Sequence, residues 1–190
     1  MLEAFLISTG VVALGEIGDK TQLLAMLLAA RFRRPLPIVL GILVATLVNH
    51  GLAGIVGGAV AHWLGPDLLR WVIGLSFIGM AGWMLVPDEA DEAAGGRARF
   101  GVFGTTVLTF FLAEMGDKTQ IATVALAARY DDIVTVVAGT TLGMMLADVP
   151  AVFLGDRAAK AIPMRLVHGI SAAIFALLGV LTLFNVGKLF

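Results

Sequence analysis

The 190-residue chain contains no cysteine, and only 14% of its residues are charged. The first absence removes disulfide frameworks, thiol redox chemistry and thiolate metal sites together. The second removes an ordinary soluble domain, in which about 25% of residues are charged and about 45–50% apolar. Here 59% are hydrophobic. No basic tract offers a nucleic-acid surface, and the net charge of −1 indicates no polyanionic partner. No segment alternates apolar and polar residues as a barrel strand does. There is no glycine-rich phosphate loop, no zinc motif and no Ser/His pair at matched depth, so the sequence argues against an enzyme. The N-terminus, Met1-Leu-Glu-Ala-Phe5, lacks the basic region of a cleaved signal, and the first apolar segment is expected to be retained.

What is present is apolar sequence in six long stretches, roughly 3–30, 37–61, 68–86, 101–128, 133–154 and 166–187. A bilayer core of ~30 Å needs about 20 apolar residues per helix. The expected fold is therefore all-α, an integral membrane protein with six transmembrane helices and lipid as its surrounding partner. Pro87-Asp-Glu-Ala-Asp-Glu-Ala-Ala-Gly-Gly96 is the only extended polar stretch. It divides the chain into 1–86, a linker over 87–100, and 101–190, which together form one membrane domain.

The two halves are related. Glu16-Ile-Gly-Asp-Lys-Thr-Gln22 returns ninety-eight positions later as Glu114-Met-Gly-Asp-Lys-Thr-Gln120, each copy in the middle of its apolar stretch. The same offset pairs Phe5 with Phe103, Gly41 with Gly139 and Gly57 with Gly155. After a three-residue slip, Gly74-Leu-Ser76 resembles Gly169-Ile-Ser171. Each repeat thus holds three spans. Three is odd, so the second repeat enters the membrane from the opposite side, the inverted plan of many secondary transporters, with ion sites at the midplane between the repeats. Connections after spans one, three and five carry Arg31, Arg33, Arg34, Arg97, Arg99, Arg157, Lys160 and Arg165, against Arg70, Arg129 and Lys188 on the other face. That bias places the linker in the cytoplasm and both termini outside.

A charged side chain at the bilayer centre costs ~2.5–3.5 kcal/mol on insertion scales, and each motif carries a Glu, an Asp and a Lys. Four acids and two lysines sum to −2, which one divalent cation neutralises. Glu16, Asp19, Glu114 and Asp117 are the candidate metal ligands, with Thr21, Gln22, Thr119 and Gln120 as accessory oxygens. Lys20 and Lys118 are expected to balance charge, pointing away from the ion. These are hard oxygen donors, which suit Mg, Ca or Mn rather than copper or zinc. Magnesium sheds water reluctantly, so Ca²⁺ and Mn²⁺ lead, as transported ions and not as cofactors. A purely structural Glu16–Lys20 pair at i,i+4 is the competing account. Gly18 allows either close helix approach or a local helix break.

Asp148, followed by Val149-Pro150, lies mid-span, and its repeat mate is His50. Both are titratable, which makes them candidates for a proton route or an accessory ligand; a buried structural acid is the alternative. His62 and His168 fall near helix ends, and Trp63, Trp71 and Trp83 near the expected interfaces.

Glu16-Ile17-Gly18-Asp19-Lys20-Thr21 and Glu114-Met115-Gly116-Asp117-Lys118-Thr119 resemble the signature of uncharacterised protein family 0016. These are manganese/calcium transporters of bacteria, chloroplasts and the Golgi, with one Glu-hydrophobic-Gly-Asp-Lys/Arg-Thr/Ser motif in each three-helix repeat. The resemblance covers all six spans. It implies cation transport through the acidic motif residues. For a bacterial inner-membrane member it implies Mn²⁺ export, with Ca²⁺ second and protons as the exchanged ion. A channel using the same carboxylates, or a non-transporting scaffold, is the alternative. Oligomeric state is left open.

Overall fold

The computed structural model describes residues 1–86, 100–154 and 164–185. Linker residues 87–99, Gly155 and the basic residues Arg97, Arg99, Arg157, Lys160 and Lys188 lie outside the described residues. Among the described residues the chain forms eight helices and no strand. They are α1 (Leu2–Glu16), α2 (Lys20–Phe32), α3 (Pro35–Trp63), α4 (Pro66–Trp83), α5 (Gly101–Glu114), α6 (Lys118–Tyr130), α7 (Ile133–Leu154) and α8 (Met164–Leu183).

The stretches 3–30 and 101–128 are each two helices, interrupted at the motif. At 15, 13, 14 and 13 residues, α1, α2, α5 and α6 are half-helices. At 1.5 Å per residue each is about 20 Å long, short of the ~30 Å core. Helices α3, α7 and residues 166–183 of α8 are long and apolar enough to cross a membrane singly.

Local chemistry sets the other boundaries. Proline opens α3 and α4 at Pro35 and Pro66, where a missing N–H costs nothing. Arg33 and Asp131 close α2 and α6 in the left-handed conformation, both at φ 50°, with their N–H groups donating to Ala29 O and Ala127 O. The boundaries recur at the ninety-eight-residue offset: Glu16 and Glu114 end helices, and Lys20/Lys118, Pro35/Ile133 and Pro66/Met164 begin them.

Packing recurs too. A Cβ on Gly41 would lie 2.7 Å from Thr106 Cβ and 3.1 Å from Phe103 O; one on Gly139 would lie 3.0 Å from Ser8 Cβ and 2.6 Å from Phe5 O. So the start of α3 lies on α5 and the start of α7 on α1, each at a glycine that lets the helices touch. Helices α4 and α8 cross where Gly74 meets Gly179, with Phe77 against Phe175 at 6.0 Å between ring centroids. The expected equivalence of Gly74–Ser76 with Gly169–Ser171 does not hold. A Cβ on Gly169 would meet nothing within 4 Å among the described residues, and Ser171 donates to Leu14 O on α1 while Ser76 donates within its own helix to Val72 O.

The polarity is that of a membrane protein. Glu16, Asp19, Asn49, His50, Glu114, Asp117, Lys118 and Asp148 are buried, whereas Leu40, Leu47, Leu52 and Ile55 lie along the open side of α3. Trp63, Trp71 and Trp83 are exposed at or near helix ends, as interfacial anchors are.

Candidate metal centre

Each motif is a tight turn between two half-helices. Ile17 (φ −64°, ψ 114°) and Gly18 (φ 85°), with Asp19 N–H donating to Glu16 O at 3.0 Å, make a type II turn. Met115 (φ −63°, ψ 120°), Gly116 (φ 76°) and the Asp117 N–H to Glu114 O bond of 3.2 Å repeat it. The third position of such a turn requires positive φ, which is why glycine follows the hydrophobic residue in both motifs. Of the two alternatives open at Gly18, the local break is the one found.

A break inside a membrane frees backbone groups that must find partners within the protein. The motif supplies them. Gly18 N–H donates to Gln22 Oε1 at 3.0 Å, and Gly116 N–H to Gln120 Oε1 at 2.7 Å. Thr21 Oγ1 donates to Glu16 Oε2 at 2.7 Å, and Thr119 Oγ1 to Glu114 Oε2 at 3.1 Å. Asp117 Oδ1 also accepts from Lys118 N–H at 2.6 Å, capping α6. Thus Thr and Gln brace the turn and its glutamate, a role the spacing alone had not assigned to them.

The lysines pair across the halves. Lys20 Nζ lies 3.1 Å from Asp117 Oδ2, and Lys118 Nζ is bound to Asp19 Oδ1. A Glu16–Lys20 pair is therefore not the arrangement: the turn takes the two off a common helix face, and Lys20 reaches the other motif. The crossed pairs differ in setting. The Lys20 side chain is 31% exposed, the Lys118 side chain 3%.

Glu16 and Glu114 are fully buried, and the Oε1 of each has no hydrogen-bond partner among the described residues. They lie within electrostatic range of each other's motif: Glu16 of Glu114 and Asp117, Glu114 of Asp19. Asp148 lies within range of both glutamates. His50 is wholly buried, with neither ring nitrogen partnered among the described residues. So the two motifs and Asp148 share one region. Among the described residues no three acidic or histidine side chains stand close enough to enclose a metal ion as they are. Two anchoring contacts had no signal in the motifs: Asn49 Nδ2 donates to Phe111 O at 3.1 Å, fixing α3 to α5, and Ser171 fixes α8 to α1.

Paired helix breaks with buried acids and crossed lysines, inside an all-α membrane protein, define the class of an ion transporter. The sequence profile described as divalent cation/proton antiporter GDT1 matches residues 4–92 and 102–188, and the chain belongs to that family. It is a transporter and not an enzyme. It is 48% identical over 185 residues, 97% of this chain and 92% of the relative, to a Vibrio cholerae protein named "Putative manganese exporter". It is 30% identical to a GDT1-like protein of Synechocystis, covering 96% of this chain and 97% of that one. GDT1-like protein 3 of Oryza sativa is also 30% identical, over 92% of this chain and 71% of its own length. No solved structure matches.

Proposed function

We propose that this protein exports a divalent cation from the bacterial cytoplasm in exchange for protons, Mn²⁺ foremost and Ca²⁺ second. Glu16, Asp19, Glu114 and Asp117 bind the ion at mid-membrane, and Thr21, Thr119, Gln22 and Gln120 brace or assist them. The observation that carries this is the crossed pairing of Lys20 with Asp117 and Lys118 with Asp19. Two ammonium groups seated on two aspartates bring the same positive charge as one divalent ion. An arriving ion takes over that charge when the lysines swing off, and the lysines return when it leaves. Export against a gradient needs energy, and the sequence holds no nucleotide site. Clustered carboxylates repel strongly in a low dielectric, and protons taken up as the metal departs relieve that repulsion. Asp148 and His50 are the buried titratable groups from which a proton route to water is built.

The same proposal includes six crossings, with α1–α2 and α5–α6 each forming one, arranged as two inverted repeats in the inner membrane. It is supported by the recurring helix boundaries and by Tyr130 at the end of α6, whose hydroxyl donates to Glu3 Oε1 near the start of α1 at 3.5 Å. Two motif segments running in opposite directions bring such ends together. The excess of Lys and Arg after spans one, three and five supports a cytoplasmic linker and external termini.

Reconstitution into sealed liposomes tests the function. Internal metal and internal pH are recorded together, with Mn²⁺ or Ca²⁺ outside and the membrane potential clamped. Saturable metal uptake with protons moving the other way, drivable uphill by a pH gradient, is expected. Metal flux that leaves internal pH untouched refutes exchange, and non-saturating flux that no pH gradient can drive indicates a channel.

A further inference from the structure

We infer that Asp148 is a fifth carboxylate of the cation centre, placed to touch the divalent ion together with Glu16 and Glu114. This holds only if that centre carries the transported ion, as proposed above. Asp148 is completely buried in α7, and neither carboxylate oxygen has a hydrogen-bond partner among the described residues. A buried acid with two idle oxygens calls for a compensating group, and an ion is one of the few that serve. Its surroundings indicate which. Both motif glutamates lie within electrostatic range, and each also keeps one oxygen without a partner among the described residues. Asp19 and Asp117, by contrast, already hold lysines.

The backbone fixes Asp148 there. Gln22, whose Oε1 braces the first turn, donates its Nε2–H to Ala147 O at 3.1 Å, tying the residue next to Asp148 to the motif. Pro150 lies inside α7. A proline in a helix supplies no N–H and crowds the carbonyl four residues back, here Leu146, which opens the hydrogen-bond ladder on that turn. Gln22 binds the next carbonyl along, that of Ala147. The first half lacks the counterpart: His50 stands where Asp148 does and Leu52 where Pro150 does at the ninety-eight-residue offset. The centre is therefore lopsided, with three carboxylates not committed to lysine, one from each motif and one from α7. They stand apart as described, so an ion at carboxylate distances of about 2.3–2.6 Å for Ca²⁺ draws the two longer glutamate side chains toward Asp148.

The test is Mn²⁺ and Ca²⁺ binding to the purified full-length protein in detergent by titration calorimetry, with melting temperature measured without metal. Asp148→Asn is expected to raise the Kd for Mn²⁺ at least about tenfold, the scale on which even indirect partners of a metal act, with metal-free melting unchanged. Asp148→Glu keeps the charge on a longer arm, and is expected to bind with a Mn²⁺/Ca²⁺ Kd ratio altered at least about threefold. If Asp148→Asn binds both ions like the wild type while Glu16→Gln and Glu114→Gln do not, the assignment of Asp148 is overturned and the centre stands. If all three amide variants bind normally, the centre itself falls. Should Asp148→Asn fail to fold, an unchanged ion preference in Asp148→Glu overturns the assignment.

Discussion

Replacing Lys118 by methionine keeps an unbranched side chain of similar length and deletes the ammonium bound to Asp19. The Lys118 side chain is 3% exposed and that of Asp19 1%, so water cannot replace the lost partner. Removing one member of a buried pair costs roughly 3–5 kcal/mol, because a charge is stranded in low dielectric. For chains of 150–250 residues, each kcal/mol moves the melting midpoint by about 2–4 °C, so a fall of roughly 6–20 °C is expected. Lys20→Met is the internal comparison. Its side chain is 31% exposed, solvent already screens it in part, and its loss should lie nearer the ~1 kcal/mol of open pairs. Two further measurements isolate the cause. Asp19→Asn added to Lys118→Met removes the stranded charge and should restore most of the midpoint. Mn²⁺ at a hundred times its Kd should stabilise the Lys118→Met protein by about 2.7 kcal/mol through mass action. Thermal unfolding of purified protein in detergent, followed by tryptophan fluorescence, reads all four. Equal small losses for the two lysines, or no recovery in the double variant, refute the view that the crossed pairs carry the charge balance of this region.

Glu16→Gln or Glu114→Gln should abolish Mn²⁺ uptake in liposomes while leaving folded protein in the membrane, and Glu3→Gln at the helix start should leave uptake near normal. Gly18→Ala and Gly116→Ala place a Cβ at φ 85° and 76°; each should cost about 1–2 kcal/mol in detergent unfolding and slow transport. Gly139→Ala puts a Cβ 2.6 Å from Phe5 O and should destabilise by roughly 1–3 kcal/mol, whereas Gly10→Ala, with nothing within 4 Å, should be silent in the same unfolding assay.

The long apolar stretches made the helical architecture legible, and the repeated charges within them marked the two motifs that the crossed pairs join. Glu-x-Gly-Asp also spells a type II turn once its glycine is taken at positive φ, yet the same glycine fits a close helix contact, so the break needed coordinates. The lysines could not be assigned: on an unbroken helix Lys20 faces Glu16, and only the turn sends it across to Asp117. The similarity of Gly169 to Gly74 misled because two letters matched while the faces they occupy did not. Asp148 was visible as an oddity, but its place beside the first motif shows only in the bond from Gln22 to Ala147 O, which joins residues 125 positions apart.

The crossed ion pairs are reciprocal: each half lends a lysine and receives one, through the same two residue types. A contact of that kind is what two identical copies make about a two-fold axis, where one patch serves both partners. A chain of one such half, pairing with a second copy of itself, would need a single set of substitutions to complete the whole junction. Joining the copies end to end then frees each to specialise, and the difference between His50 with Leu52 and Asp148 with Pro150 is the form such divergence takes here. By the same logic, the two halves supplied as separate chains should find each other through the crossed pairs of Lys20 with Asp117 and Lys118 with Asp19.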